Sequence, residues 1–201
     1  MALRHGFKTE ANDHAREVRR ELGLAPHDPL DPWRLAAHLE IPVHRLSELP
    51  DEVAHHFLRI EVSAFSAVTV FRGRRRVIVH NDGHAVGRQA SNIAHEIGHG
   101  LLLHQPSPAL NVVGCRDWDA VLEEEANWLG AALLISDEAA MRIVQSGMSN
   151  REAAAAYGVS EPMARMRINV TGARKRVPQA SRPAISRTAV TVATPPRSRR
   201  A

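Results

Sequence analysis

Two periods of apolar residues divide this chain, one helical and one alternating, and the changes between them mark its elements. From His14 to Leu22 charged and apolar positions follow a helical spacing until Gly23 stops the run, which predicts a first helix. Asp31-Pro32 then supplies a cap residue and a proline at the first helical position, and Trp33, Leu35, Ala36 and Leu39 continue as a second helix. Ile41 to Leu46 reads as a short strand. Ala67 to Phe71 is a stronger, β-branched run. Arg76 to His80 follows the turn at Gly73 and ends at Asn81-Asp82-Gly83, so these last two runs predict a hairpin. From about Gly87 to His104 the pattern is helical again, with Pro106-Ser107-Pro108 as its stop. Further helices are expected over 120–135, over 137–145 and from Asn150 onward, and no internal repeat is visible. The order predicts an α+β fold in which a small β-sheet packs on helices.

Composition narrows this picture. A chain of 201 residues suits one domain, and 44% hydrophobic with only 4% aromatic residues calls for an aliphatic, helix-rich core. No window approaches the roughly 18 uninterrupted apolar residues of a membrane span, and Met1 to Ala11 has no apolar leader stretch. A cytoplasmic protein without membrane partners is expected. Cys115 is the single cysteine, which excludes an intramolecular disulfide and a cysteine-rich zinc site, so any metal must use His and carboxylates. The net charge of +4 is unevenly spread: Gly172 to Ala201 holds eight basic and no acidic residues, leaving 18 of the 26 basic residues against 22 acidic ones elsewhere. With its prolines, serines and threonines this end cannot bury enough apolar surface to offset its ordering entropy. The expected division is a folded domain over 1–172 and a disordered basic tail over 173–201, with at most weak affinity for nucleic acid through the tail.

The chemistry is concentrated in His95-Glu96-Ile97-Gly98-His99. Two histidines four apart on a helix lie one turn above each other and can offer ring nitrogens to one ion. Glu96 stands beside the first, where its carboxylate can take a proton from the attacking water, the role of general base in a peptidase of the His-Glu-x-x-His type. Gly98 leaves room for another backbone to approach. A catalytic zinc usually has a third protein ligand. His104 stands five residues after His99, and neither the histidine nor the glycine that the metzincin pattern requires is in place, so that class is excluded. Glu123, Glu124 and Glu125 are the acidic candidates on the following helix. Glu125 shares a face with Leu122, Leu129 and Leu133, points inward, and is the expected ligand; Glu123 and Glu124 are expected to face solvent or cap backbone, one of them remaining the alternative. His104 is read as a packing residue or a partner of a ligand.

These residues resemble the ImmA/IrrE family of metallo-endopeptidases from about Glu21 to Gly172. The matching pieces are Glu21-Leu22-Gly23-Leu24, Leu35-Ala36 with Ile41-Pro42-Val43, the strand ending at Asn81, Arg88-Gln89 leading into Ala94 to His99, and Glu125-Ala126-Asn127 with Leu133-Leu134. The resemblance implies a zincin-like α+β fold with the motif on the active-site helix, zinc held by His95, His99 and Glu125, and Glu96 as base. It also implies a protein substrate, often a helix-turn-helix transcriptional repressor in stress or mobile-element regulation. Ser91-Asn92 stand where Phe-Thr is common, Trp128-Leu129 replace a bulky aromatic and a small residue, and Ser136 replaces a usual Pro. None is a proposed ligand.

A different function class is suggested by residues 150–168, which read as helix, tight turn at Gly158, helix, followed by the basic tail. As a DNA-binding helix-turn-helix regulator this segment would contact DNA through Arg165 and Arg167, although Glu161 and Pro162 open its second helix. Packing within the peptidase domain is the default reading.

Overall fold

The computed structural model describes residues 3–73, 75–104 and 119–178. Helix α1 (Phe7–Glu21) begins seven residues before the expected start and buries Phe7, Ala11, Ala15 and Val18. Helix α2 (Pro32–His38) starts as its sequence requires, with the Asp31 carboxylate accepting the Trp33 amide. Strand β1 (Val43–Arg45) is followed by a 3₁₀ turn, by α3 (Asp51–His55) and by a wide helical turn over His56–Ile60. The segment 51–60 shows no clear apolar period and was not expected to be helical. The chain that follows it is held by Asn81, whose amide donates to the carbonyls of Phe65 at 3.0 Å and Val62 at 3.3 Å, with a longer contact of 3.5 Å to Phe57 inside the segment.

The hairpin forms as expected. Strand β2 (Ala67–Arg72) and strand β3 (Arg75–His80) pair antiparallel, β1 joins β3 in parallel, and the sheet order is β1-β3-β2. The register sets Thr69 opposite Ile78, so both side chains stand on one face of the pleat. Ile78 is fully buried, which makes this the inner face. It packs on α4 (Val86–Leu101), the motif helix.

Helices α5 (Ala120–Leu134), α6 (Asp137–Gln145), α7 (Asn150–Tyr157), α8 (Glu161–Val170) and the short α9 (Ala173–Arg176) complete the fold. Two apolar clusters meet at α4 and α5. Phe7, Leu35, Ile78, Ile93, Ile97, Leu129 and Leu133 form one. Ala90, Ala94, Leu134, Ile143, Ala153, Tyr157, Ile168, Ala173 and Val177 belong to the other. Each fully buried Leu or Ile adds about 1.5–3 kcal/mol, so α4 is held from both sides and the motif sits on a rigid element. Ala173 and Val177 carry the packed chain beyond Gly172, where the tail was expected to begin. From residue 179 onward the expected tail lies outside the described residues, as does Cys115.

Residues 150–168 form the helix, turn and helix that their sequence predicted, with Arg165 exposed. Gly158 does adopt the left-handed conformation (φ 63°) between α7 and α8. Arg167, however, is 1% exposed, donates to the Ile135 carbonyl and the Asp137 carboxylate, and has its pKa lowered by burial to about 10. Arg19, equally buried, donates to the Leu133 carbonyl at 2.9 Å. Two guanidiniums therefore satisfy the last carbonyls of α5, which have no partner within the helix. Arg167 is thus engaged as a helix cap. Among the described residues no helix is long and apolar enough to cross a membrane.

Candidate metal centre

Glycine fixes the distance between α4 and α5. A Cβ on Gly98 would lie 3.0 Å from the Ala126 carbonyl oxygen, and one on Gly130 would lie 2.9 Å from the His95 amide nitrogen. The two helices therefore touch through their backbones and run antiparallel. Ala126 and Gly130 are three and seven positions after Glu123, so all three share the face of α5 that meets α4.

This crossing brings Glu123, not Glu125, to the histidine pair. Glu123 Oε2 lies 3.3 Å from His95 Nε2 and 3.6 Å from His99 Nε2, and the two Nε2 atoms are 3.1 Å apart. One ligand atom from each of His95, His99 and Glu123 falls within 4.8 Å of the others, and among the described residues this is the group that could hold a metal ion. Hydrogen bonds from His95 and then His99 hold the Glu123 carboxyl well below the usual carboxylate range. Two imidazole nitrogens and a carboxylate suit zinc or another borderline divalent ion. The three side chains are 13–21% exposed, open enough for a ligand to reach.

Glu125 is buried, as its apolar stripe required, but that stripe faces α1. Its carboxylate accepts from Arg4 Nε at 2.7 Å and lies 3.5 Å from His104 Nε2. The expected third ligand is thus engaged away from the His95-His99 pair. His104 is buried against one of the two motif histidines. The helix ends at Leu101; Leu103 takes a left-handed conformation (φ 54°), and the amides of Leu103 and His104 bond back to the carbonyls of Gly100 and His99. This is a Schellman closure with Leu where Gly is usual, a strain of about 1 kcal/mol. It folds His104 under the last turn, with its Nδ1 2.9 Å from His99 Nδ1. Burial, and then the neighbouring His99, lower the pKa of His104.

Glu96 is on the sheet side of α4, 6% exposed, and its Oε2 accepts the Thr69 hydroxyl at 2.5 Å. Nothing in the sequence alone marked Thr69; the hairpin register that puts it beside Ile78 does so. A buried carboxylate, a convergent donor set and a sheet edge thus meet at one place on α4.

No curated protein matches the chain. The model of the Peptidase_M78 family, described as an IrrE N-terminal-like domain, matches residues 36–169, which include the whole sheet, the motif helix and Glu123. The α+β architecture, mostly helical with one three-stranded sheet, agrees with it. The resemblance read from the motif and the match over most of the chain point the same way, and the chain belongs to the Peptidase_M78, or IrrE N-terminal-like, family of peptidases.

Proposed function

We propose that this chain is a zinc-dependent endopeptidase in which His95, His99 and Glu123 hold the ion and Glu96 is the general base. The observation that carries the reading is the convergence of His95 Nε2, His99 Nε2 and Glu123 Oε2 next to a buried carboxylate in the same helix. Zinc bound there would supply a Lewis acid for a peptide carbonyl and lower the pKa of water. Thr69 fixes one oxygen of Glu96 and leaves the other to take the proton from the attacking water and return it to the departing amine. Strand β2 is at the edge of the sheet, and Val70 and Phe71 on it are 48% and 39% exposed. An extended substrate segment can add to that edge through main-chain hydrogen bonds, which favours cleavage within a chain over removal of terminal residues. The substrate we propose, on family resemblance, is a helix-turn-helix transcriptional repressor in the cytoplasm.

The test uses the full chain loaded with zinc on a library of unstructured peptides. Wild-type protein should hold about one zinc and cleave internal bonds; Glu96→Gln should hold the same zinc and lose cleavage by at least about 10²-fold. Cleavage that survives in Glu96→Gln would remove the mechanism.

A further inference from the structure

Three residues outside the proposed ligand set form a continuous chain that ends on one of the ligands. Arg4 grips Glu10 with both terminal nitrogens, at 2.6 and 2.7 Å, and gives its Nε–H to Glu125 Oε1 at 2.7 Å. Glu125 Oε2 stands 3.5 Å from His104 Nε2, and His104 Nδ1 stands 2.9 Å from His99 Nδ1. One set of protons satisfies every contact. If His99 keeps Nε2 for the ion, its Nδ1–H donates to His104 Nδ1, and His104 then carries its own proton on Nε2, directed at the Glu125 carboxylate. Glu125 and His104 are only 5% and 7% exposed, so this carboxylate is sealed from solvent and the Arg4 guanidinium supplies its counter-charge.

We infer that His104 is a positioning residue for the metal centre, fixing the ring and tautomer of His99, and that Glu125 and Arg4 act through it. The inference rests on the reading that the ion is held by His95, His99 and Glu123. Three observations support it independently of that reading. The Schellman closure at Leu103 turns His104 back onto His99, and a left-handed Leu is kept for it. Glu125 occupies a buried position that an aliphatic residue would fill with less desolvation cost, yet two cationic or donor groups face it. His95 Nδ1, by contrast, is buried without a hydrogen-bond partner among the described residues, so the brace acts on His99 alone. Arg4 also lies before residue 36, where the family match begins. The segment ahead of the matched residues therefore takes part in holding the centre, and α1, packed on α5, is what keeps Arg4 there.

The experiment is a zinc competition titration against a chromogenic chelator, with the absorption spectrum of the Co²⁺-loaded protein as a second readout, on the full chain and its variants. His104→Ala should bind zinc about 10–100-fold more weakly than wild type and shift the Co²⁺ bands. His104→Asn, whose Oδ1 can still accept from His99 Nδ1, should recover most of that loss. Glu125→Gln and Arg4→Ala should each weaken zinc binding in the wild-type background, and Glu125→Gln should add less than about threefold in the His104→Ala background. Arg16→Ala, which breaks a pair between α1 and Glu138 of α6, should leave zinc binding unchanged. Melting of each metal-free variant identifies any that fail to fold, and the Asn variant then carries the comparison. Zinc binding by His104→Ala equal to wild type would overturn the inference, as would full additivity of the Glu125 and His104 losses, which would mean that Glu125 reaches the ion itself. A wild-type chain that binds no zinc would instead overturn the ligand reading beneath it.

Discussion

Gly130→Ala adds one methyl group at the point where α5 crosses the motif helix, and it separates two opposed effects. In an exposed helix the change would stabilise by about 1 kcal/mol, because Ala loses less backbone entropy than Gly. Here the new Cβ would sit 2.9 Å from the His95 amide nitrogen and 3.0 Å from the Ala94 carbonyl carbon and oxygen, where 3.4 Å is the start of ordinary contact. Every one of these atoms is backbone and none can rotate away, so the helices must part locally by about 0.5 Å. Overpacking of this kind costs about 1–3 kcal/mol. Set against the propensity gain, the net is a loss of about 0–2 kcal/mol. The effect on the site is larger than on the fold, since metal sites tolerate only about 0.2 Å in their ligand distances. We expect zinc affinity to fall by about tenfold or more, equivalent to at least about 1.4 kcal/mol. The assay is urea unfolding of metal-free protein beside a zinc competition titration. Gly87→Ala is the control: its Cβ would meet the Val159 carbonyl carbon at 2.6 Å, between α4 and the α7–α8 turn, and should cost stability while zinc affinity holds. A Gly130→Ala protein that gains the full 1 kcal/mol and binds zinc like wild type would refute the close crossing, and with it the placement of Glu123.

Two further outcomes follow from other parts of the fold. Removal of residues 179–201 should leave the melting temperature within about 2 °C, whereas removal from Ala173 onward takes Ala173 and Val177 out of the core and should cost about 2 kcal/mol or more, some 4–8 °C by unfolding calorimetry. Burial pushes the Asp82 carboxyl up, but the Ser47 hydroxyl and amide outweigh it and hold its pKa below the ordinary value. A carboxylate with a lowered folded pKa stabilises above its unfolded pKa and loses that contribution as pH falls through the folded one. Ser47→Ala should therefore be less stable by about 0.5 kcal/mol at pH 7, a small figure because the pair is exposed, with the difference closing as pH falls through the lowered pKa of Asp82; a gap that stays the same in acid would refute the pairing.

The parts of this fold that local spacing dictates were legible in the sequence. His95, Glu96 and His99 are brought together by one helix, and the β2–β3 hairpin by two β-branched runs with a turn between them. Contacts between elements were harder to read. Helix α5 is buried on two sides, and the stripe through Leu122, Glu125, Leu129 and Leu133 is the more apolar, so it drew the expected ligand to Glu125; that stripe packs toward α1. The side that meets the His95-His99 pair is the poorer stripe of Glu123, Ala126 and Gly130, and its signal was small residues spaced to receive Gly98. The start of α1 was missed because Lys8 to Asp13 show apolar character only at Ala11. The sequence marked Arg167 only as a contact of a DNA-binding segment and did not mark Arg19, because only the ends of α5, assembled from distant sequence, give them carbonyls to bind. Thr69 became a partner of Glu96 through strand register, which no single segment encodes.

Anomalous diffraction at the zinc edge, from crystals of the zinc-loaded chain, tests the account most directly. One peak is predicted, bonded at about 2.0–2.2 Å to His95 Nε2, His99 Nε2 and a Glu123 oxygen, with Glu125 still joined to Arg4 and His104. A peak bonded to Glu125 with Glu123 turned to solvent, or no peak between the two histidines, would contradict it.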